Sequence, residues 1–433
     1  MIFPMDESGI DGWQRHGVVI GAALGSVAVR MPGCTPGSLV AVQARSGAAL
    51  IHVRAVDGGV AQCAPLDGRA EFSPGDRASS IGARIGAFVG DALLGESVDG
   101  WGRADSARAA RAHAIRAERN PPPPADRGVI RRPMRTGVAA IDAFATIGFG
   151  QRIALFSGAG VGKSTIVRRI VRSAPVHARV LALVGERGRE ARETIDALRE
   201  STAWASTTVV CAPAGAPALE RVAALHTATS QAEWLCARGL DVLLVVDSIT
   251  RAAHAWRELA LAGGESATHR GYPPSVTANL ASVVERAGAR RTGSITGLYA
   301  VLVDGDDLRE PVSDAVRGML DGHIVLDRGL ADAGRYPAVD VLRSLSRLAP
   351  VLITQEHRGD AALARRALDA LERAQDLLAI GAYRRGGDAL LDAALDARPL
   401  LEALIFDGDG NTGEPDVVAG LHAAVAGLQA FAV

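Results

Sequence analysis

Nine consecutive residues, Ser157, Gly158, Ala159, Gly160, Val161, Gly162, Lys163, Ser164 and Thr165, combine three glycines with one cation and three hydroxyls. They follow the apolar stretch Ile153, Ala154, Leu155, Phe156 and precede a helix-compatible run. This is the context of a phosphate loop. Small residues let backbone N–H groups wrap phosphates, Lys163 reaches the β and γ oxygens, and Ser164 ligates Mg²⁺. Residues 158–165 are therefore expected to hold ATP, with Mg²⁺ as its companion ion. Ser157 stands where the pattern G-x-x-x-x-G-K-[ST] is written with Gly, and its small side chain is expected to be tolerated. Two acidic residues fit the same chemistry. Asp247 ends the apolar run Val242, Leu243, Leu244, Val245, Val246, where strand carboxyl ends face the nucleotide, and is expected to help hold the metal. By itself an Asp after a strand is more often a cap or turn, and the upstream loop is what favours the metal role. Glu186 follows Val180, Leu181, Ala182, Leu183, Val184 in the segment Gly185, Glu186, Arg187, Gly188, Arg189, Glu190. A second strand end there would place a carboxylate that orients water in line with the γ-phosphate, the alternative being a solvated charged turn.

The elements that must position these groups are legible as apolar runs. Those before Ser157, Gly185 and Asp247, with Leu298, Tyr299, Ala300, Val301, Leu302, Val303, are near-continuous and fit strands buried on both faces of a largely parallel sheet. Upstream, from about Gly17 to Arg77, short runs (Val18, Val19, Ile20; Ser26, Val27, Ala28, Val29; Leu39, Val40, Ala41, Val42; Leu50, Ile51, His52, Val53) are punctuated by Gly and Pro, as in a small β-barrel. Residues 103–119 are Ala/Arg-rich and lead into four prolines, which reads as a stiff linker across a surface. Beyond Pro350 the pattern turns helical, with Leu363, Ala367, Leu371 and Leu378 near one face. The expected fold class is α/β, a P-loop core with an N-terminal small β-barrel and a C-terminal helical domain. The expected divisions are residues 1–85, 86–350 and 351–433.

Composition narrows the function classes. Lys+Arg 47 balance Asp+Glu 48 and aromatics are 4% of 433 residues, so neither a polyanion-binding tail nor a base-stacking surface is signalled, and no nucleic-acid partner is expected. A nucleic-acid translocating ring is disfavoured accordingly. The four cysteines, Cys34, Cys63, Cys211 and Cys236, form no C-x-x-C pair and read as reduced thiols of a cytoplasmic protein. The start carries no leader pattern and no apolar run approaches the roughly 18 residues of a membrane span, so membrane association is expected to be peripheral.

Longer motifs carry a family resemblance from about Val89 to Pro350. Pro337, Ala338, Val339, Asp340, Val341, Leu342, Arg343, Ser344, Leu345, Ser346 match the signature shared by rotary ATP synthase catalytic subunits and their relatives. The run from Arg132 through Thr136, Gly137, Val138 to Ile141, Asp142 matches the lead into their nucleotide domain. Gly271, Tyr272, Pro273, Pro274, Ser275, Val276, then Gly305, Asp306, Asp307, Leu308, Arg309, Glu310, Pro311, and Leu320, Asp321, Gly322, His323, Ile324 resemble the type III secretion ATPases of flagella and injectisomes. The resemblance implies that the P-loop core is RecA-like, that Glu186 is the catalytic glutamate, that Glu190 tunes the metal site or the water, that Arg347 is an arginine finger, and that Tyr336 packs on adenine. Arg343 has no implied role. One chain carries loop, carboxylate and finger, so a homohexamer with sites between subunits is the simplest assembly. The implied work is ATP hydrolysis that unfolds export substrates and releases their chaperones at the inner face of the bacterial inner membrane, with stalk, regulator and export-gate proteins as partners. A rotary synthase-type subunit and a non-hydrolysing scaffold are the alternatives. Little sequence precedes the expected barrel, which leaves little room for the segment through which some relatives contact lipid or a regulator.

Overall fold

A computed structural model of the chain describes residues 15–23, 25–66, 70–84, 86–104, 106–303, 310–408 and 416–431. The motif residues 305–309 lie outside them.

Six strands, β1 His16–Ala23, β2 Ser26–Arg30, β3 Ser38–Ala44, β4 Gly47–Asp57, β5 Val60–Pro65 and β6 Arg77–Arg84, close into a barrel in the order β1-β2-β5-β4-β3-β6. Alternate residues such as Val27, Val29, Val40, Val42, Ile51 and Val53 fill its interior, as the period of two requires. The barrel needs β6, which the sequence reading did not include: its strand pairs with both β1 and β3 and removes the last open edge.

The next stretch is not the linker expected. β7 Gly86–Val89 pairs antiparallel with β9 His113–Arg116, and between them β8 Glu96–Val98 joins the edge of the central sheet. The segment is anchored because the His113 ring stacks on Trp234 at 4.8 Å and Ala117 is buried. A two-residue ribbon, β10 Pro133–Met134 with β11 Ile147–Gly148, brackets helix α1 Ala139–Phe144.

The central sheet comprises nine strands among the described residues. β12 Arg152–Ser157, β13 Ala178–Val184, β14 Thr207–Ala212, β15 Asp241–Asp247, β17 Ser294–Leu302 and β18 Gly322–Leu326 run parallel, while β19 Val339–Ser346 lies antiparallel on β18. The order is β19-β18-β12-β17-β15-β13-β14-β8, with β16 Gly288–Ala289 a short antiparallel partner of β17. The continuous apolar runs are explained by burial on both faces. Ala154, Phe156, Val180, Ala182, Val242 and Leu244 face one core, and Ile153, Leu155, Leu181, Leu183, Leu243 and Val245 the other. The first face is covered by α4 Ala218–Cys236, α5 Ile249–Ala262, α6 Pro274–Val284 and α7 Pro311–Met319. The second is covered by α1, α2 Lys163–Ser173, α3 Gly188–Arg199 and the C-terminal helices.

After the short turns α8 Arg328–Asp332 and α9 Ala349–Leu352, the C-terminal helices are α10 Gln355–Arg373, α11 Gln375–Ala379, α12 Ala389–Ile405 and α13 Val417–Val425. Side chains start three of them: Thr354, Asp388 and Asp416 accept hydrogen bonds from the first free N–H groups of α10, α12 and α13. Leu363 and Ala367 are buried on α10, but the helix stops at Arg373, so Leu378 belongs to α11 and not to the same face. No described helix is long and apolar enough to cross a membrane.

Candidate active site

The phosphate loop leaves the carboxyl end of β12 and enters α2 at Lys163. Gly160 and Gly162 have φ of 80° and 90°, values an L side chain rarely adopts. Ser157 and Val161 are buried beneath the loop, whereas Ala159, Gly160, Ser164 and Thr165 are exposed on top. Val161 can therefore offer a nucleotide only its backbone. Ser157 fits because its side chain is small enough to lie inside the sheet end.

The strand ends bring the predicted acidic residues to the lysine. The Lys163 ammonium lies 3.0 Å from Glu186 Oε1 and is also hydrogen-bonded to Asp247 Oδ1. Glu186 is 6% exposed and Asp247 4%. Burial pushes the Glu186 carboxyl above its usual range, against the attraction of Lys163 and with the help of the Asp247 charge. Two further residues shape this end of the sheet. Arg251 on α5 donates to the Gly185 carbonyl and lies 3.5 Å from Glu186 Oε2. Gly185, at φ 68°, permits that approach, since a Cβ there would meet the Arg251 side chain at 3.0 Å.

Glu190, expected to tune the metal site or the water, has Arg187, Arg189 and Glu186 as its neighbours. It sits on the first turn of α3, where Arg187 donates to it at 2.9 Å, Arg189 lies at 3.8 Å, and it shares a hydrogen bond with Glu186. Partial burial acts to raise its carboxyl, but the Arg187 and Glu186 hydrogen bonds and the two arginine charges take it below the usual range. Among the described residues no cluster of three or more His, Cys, Asp or Glu forms a metal cage. Mg²⁺ does not require one, because it keeps several waters and takes one or two protein oxygens besides phosphate. The Ser164 hydroxyl and the Asp247 carboxylate are donors of the right hardness for it.

Tyr336 is 42% exposed and its ring lies 3.4 Å from where a Cβ on Gly162 would stand. It opens onto a cavity of about 1570 Å³ that also includes Val161, Thr165, Arg169, Arg335 and Phe406. Phe406 was missed by the sequence reading. It comes from the end of α12, with the Arg335 guanidinium 5.6 Å over its ring, and it is tied in by the Gly408 N–H donating to the Tyr336 carbonyl at 3.1 Å and by Arg169 pairing with Asp407. Only long-range packing places it there. Lys163 is the sole lysine of the chain, all other basic side chains apart from histidine being arginine.

Arg347 is exposed and far from its own loop. Ser346 pairs with Gly322 at the start of β18, and the Arg347 N–H donates to the Asp321 carbonyl at 2.9 Å. Asp321 in turn accepts from the N–H of Arg152, the first residue of β12. Arg347 thus lies level with the beginning of β12 while the phosphate loop leaves its end, five strand steps or about 16 Å away. Arg343 points elsewhere, 3.6 Å from Asp327 and 3.8 Å from Asp340, at the rim of a small cleft shared with Ser157 and Gly158.

Comparison with known proteins places these features. Residues 137–346 match the ATP synthase alpha/beta family, nucleotide-binding domain, and residues 353–415 match the T3SS EscN ATPase C-terminal domain. The SPI-2 type 3 secretion system ATPase of Salmonella typhimurium is 41% identical over 390 residues, 90% of each chain. The flagellum-specific ATP synthase of Bacillus subtilis is 42% identical over 361 residues, 83% of this chain and 82% of that protein. Among solved structures, the assembled ATPase EscN from the enteropathogenic E. coli type III secretion system superposes with a TM-score of 0.89 at 36% identity, covering 94% of this chain and all of that one. The same ATPase in complex with its central stalk EscO gives 0.85.

Proposed function

The chain belongs to the ATP synthase alpha/beta family and, within it, to the type III secretion and flagellar export ATPases, and from that membership we propose how its own residues divide the work. It is an ATPase that energises protein export, acting on substrates to be unfolded and on chaperones to be released. The phosphate loop, residues 158–165, holds the triphosphate, and Tyr336 with Phe406 bounds the adenine. Ser164 and Asp247 are the residues that would hold Mg²⁺. When bound, this ion would supply positive charge to offset the negative charge that builds on the phosphate oxygens.

In the reaction a water oxygen bonds to the γ-phosphorus while the bond from that phosphorus to the β–γ bridging oxygen breaks. ADP leaves with the electron pair and inorganic phosphate is the other product. Glu186 orients the water and takes up its proton, and its raised affinity for a proton suits that task. Lys163, drawn away from Glu186 and Asp247 by the stronger negative charge of the triphosphate, frees both carboxylates. Glu190, held by Arg187 beside Glu186, tunes the water through its charge.

Arg347 acts on a neighbouring subunit. The observation that supports this is its place at the opposite end of β12 from its own Lys163, which leaves each site without a finger unless a second copy supplies one. A homohexamer with six such interfaces, docked on a stalk and peripheral to the inner membrane beside regulator and export-gate proteins, is the assembly we infer from the relatives.

The test mixes two dead variants. Lys163→Ala and Arg347→Ala rings are each expected to be nearly inactive, since a finger is worth on the order of 10³–10⁵ in rate. Mixed rings, verified by differential tags, contain interfaces where an intact loop meets an intact finger, and partial ATPase activity is expected to return. Mixed rings as inactive as either parent would refute the trans assignment.

A further inference from the structure

The strand that delivers Arg347 is irregular just before it does so. Val325 of β18 pairs with Asp340 and His323 pairs with Leu345, so residues 341–344 of β19 stand opposite Ile324 alone. Bulges of this kind re-aim the side chains that follow them. This one is stitched from within. The Asp340 carboxylate accepts from the N–H groups of Leu342 and Arg343 at 3.0 and 2.9 Å, and the Ser344 hydroxyl donates to the Asp340 carbonyl at 2.6 Å while accepting from the Val325 N–H at 3.0 Å.

It is also clamped from outside. Arg365, in the middle of α10, donates to the carbonyls of Val341, Ser344 (3.1 Å) and Phe144 (2.9 Å), with its guanidinium 5.8 Å from the Phe144 ring. Two of those three acceptors are the first and last residues of the bulge. No carboxylate pairs with Arg365 among the described residues; its donors are taken by backbone carbonyls, two at the ends of the bulge and one at the end of α1. The planar guanidinium with its five donors can serve three carbonyls at once; an ammonium on a flexible stem cannot hold the same fork.

We propose that Arg365 is a positioning residue for the ATPase reaction of the neighbouring subunit: by holding the bulge of β19 it fixes where Arg347 emerges, and so ties the first C-terminal helix to the finger. The proposal rests on the trans reading of Arg347. It predicts a defect that is felt across the interface, not in the mutated subunit's own site.

Arg365→Ala rings are expected to lose up to about 10²-fold in kcat, the scale of a 1 Å misplacement of a catalytic group, with the KM for ATP changed less than about twofold. Complementation then assigns the side of the lesion. Mixed with Lys163→Ala, Arg365→Ala should regain partial activity, because its own loop is intact and meets an intact finger. Mixed with Arg347→Ala it should regain none, because every interface then has a missing or misplaced finger. Activity within twofold of wild type, or recovery with Arg347→Ala and not with Lys163→Ala, would overturn the proposal. The Lys163→Ala with Arg347→Ala mixture is run alongside: if it fails, the trans reading fails, and if it succeeds while Arg365→Ala falls in the wrong group, only this proposal does. Where Arg365→Ala does not assemble, Arg365→Lys is read through the same mixtures, and full activity of that variant would likewise overturn the proposal.

Discussion

Glu186 carries a conflict that should be measurable in two ways. Its carboxyl is buried at the sheet end, and burial outweighs the pull of Lys163, so the folded protein holds the proton more tightly than an unfolded chain does. The base role proposed for Glu186 needs the carboxylate, so kcat/KM should rise with pH along a limb whose midpoint lies above the roughly 4.3 of an unperturbed Glu. Glu186→Gln should bind nucleotide, lose most turnover and lose that limb; turnover that persists while binding fails would contradict the role. The stability effect has the opposite direction from that of a salt-bridged acid. Because the folded-state value is raised, the stability this group contributes is present below the unfolded value and is lost as pH rises through the folded one. Glu186→Gln should therefore melt higher relative to wild type near pH 8 than near pH 4. Lys163 gives a second test at the same scale. It is the chain's only lysine and lies between two carboxylates, so an amine-directed acylating reagent should add one label per chain besides the terminal amine, slowly, with loss of activity in step. Mg-ATP should protect, and intact mass spectrometry reads the outcome. Arg343→Ala should leave turnover within about threefold, since its ion pairs are long and exposed, and such pairs contribute little.

At the scale of elements, the β7–β9 ribbon and helix α4 show where local pattern misleads. Residues 103–119 read as a linker because nothing in their composition marks a strand. Their fixed position comes from α4, which offers Trp234 to His113 and, through Arg286, a partner for the Ala117 carbonyl. Arg286 is 0% exposed. It forks onto Glu233 at 2.9 and 2.8 Å and also donates to Ser230, and its charge together with burial pushes the neighbouring His226 down to about 3, burial being the larger cause. Removing one member of such a buried pair strands the other. Arg286→Met is expected to cost about 3–5 kcal/mol in chemical denaturation, and adding Glu233→Leu should recover part of that. A single-mutant cost below about 1 kcal/mol would show that the pair is not what holds α4 to the ribbon.

For the whole molecule, the trans role proposed for Arg347 would make activity a property of assembly. Specific ATPase activity should fall steeply when the protein is diluted until rings dissociate, while binding of a fluorescent nucleotide persists, because the residues proposed to hold phosphate and adenine belong to one chain. Activity proportional to concentration through dissociation would argue for a self-sufficient subunit. The sequence by itself determined the loop, its strand–turn–helix setting, the acidic residues at two strand ends, and the succession of barrel, α/β layer and helices. These are local matters: a phosphate loop is one covalent run, and a strand buried on both faces must be apolar throughout. The tertiary structure decided what depends on pairing between distant segments. The direction of β19 put Arg347 at the far end of the sheet from Lys163, the bulge in that strand met Arg365 from α10, Glu190 turned to Arg187 and Glu186, and Phe406 came to Tyr336 from the end of α12. No spacing in the chain encodes these, because each is fixed by which surfaces bury each other when the sheet order is chosen.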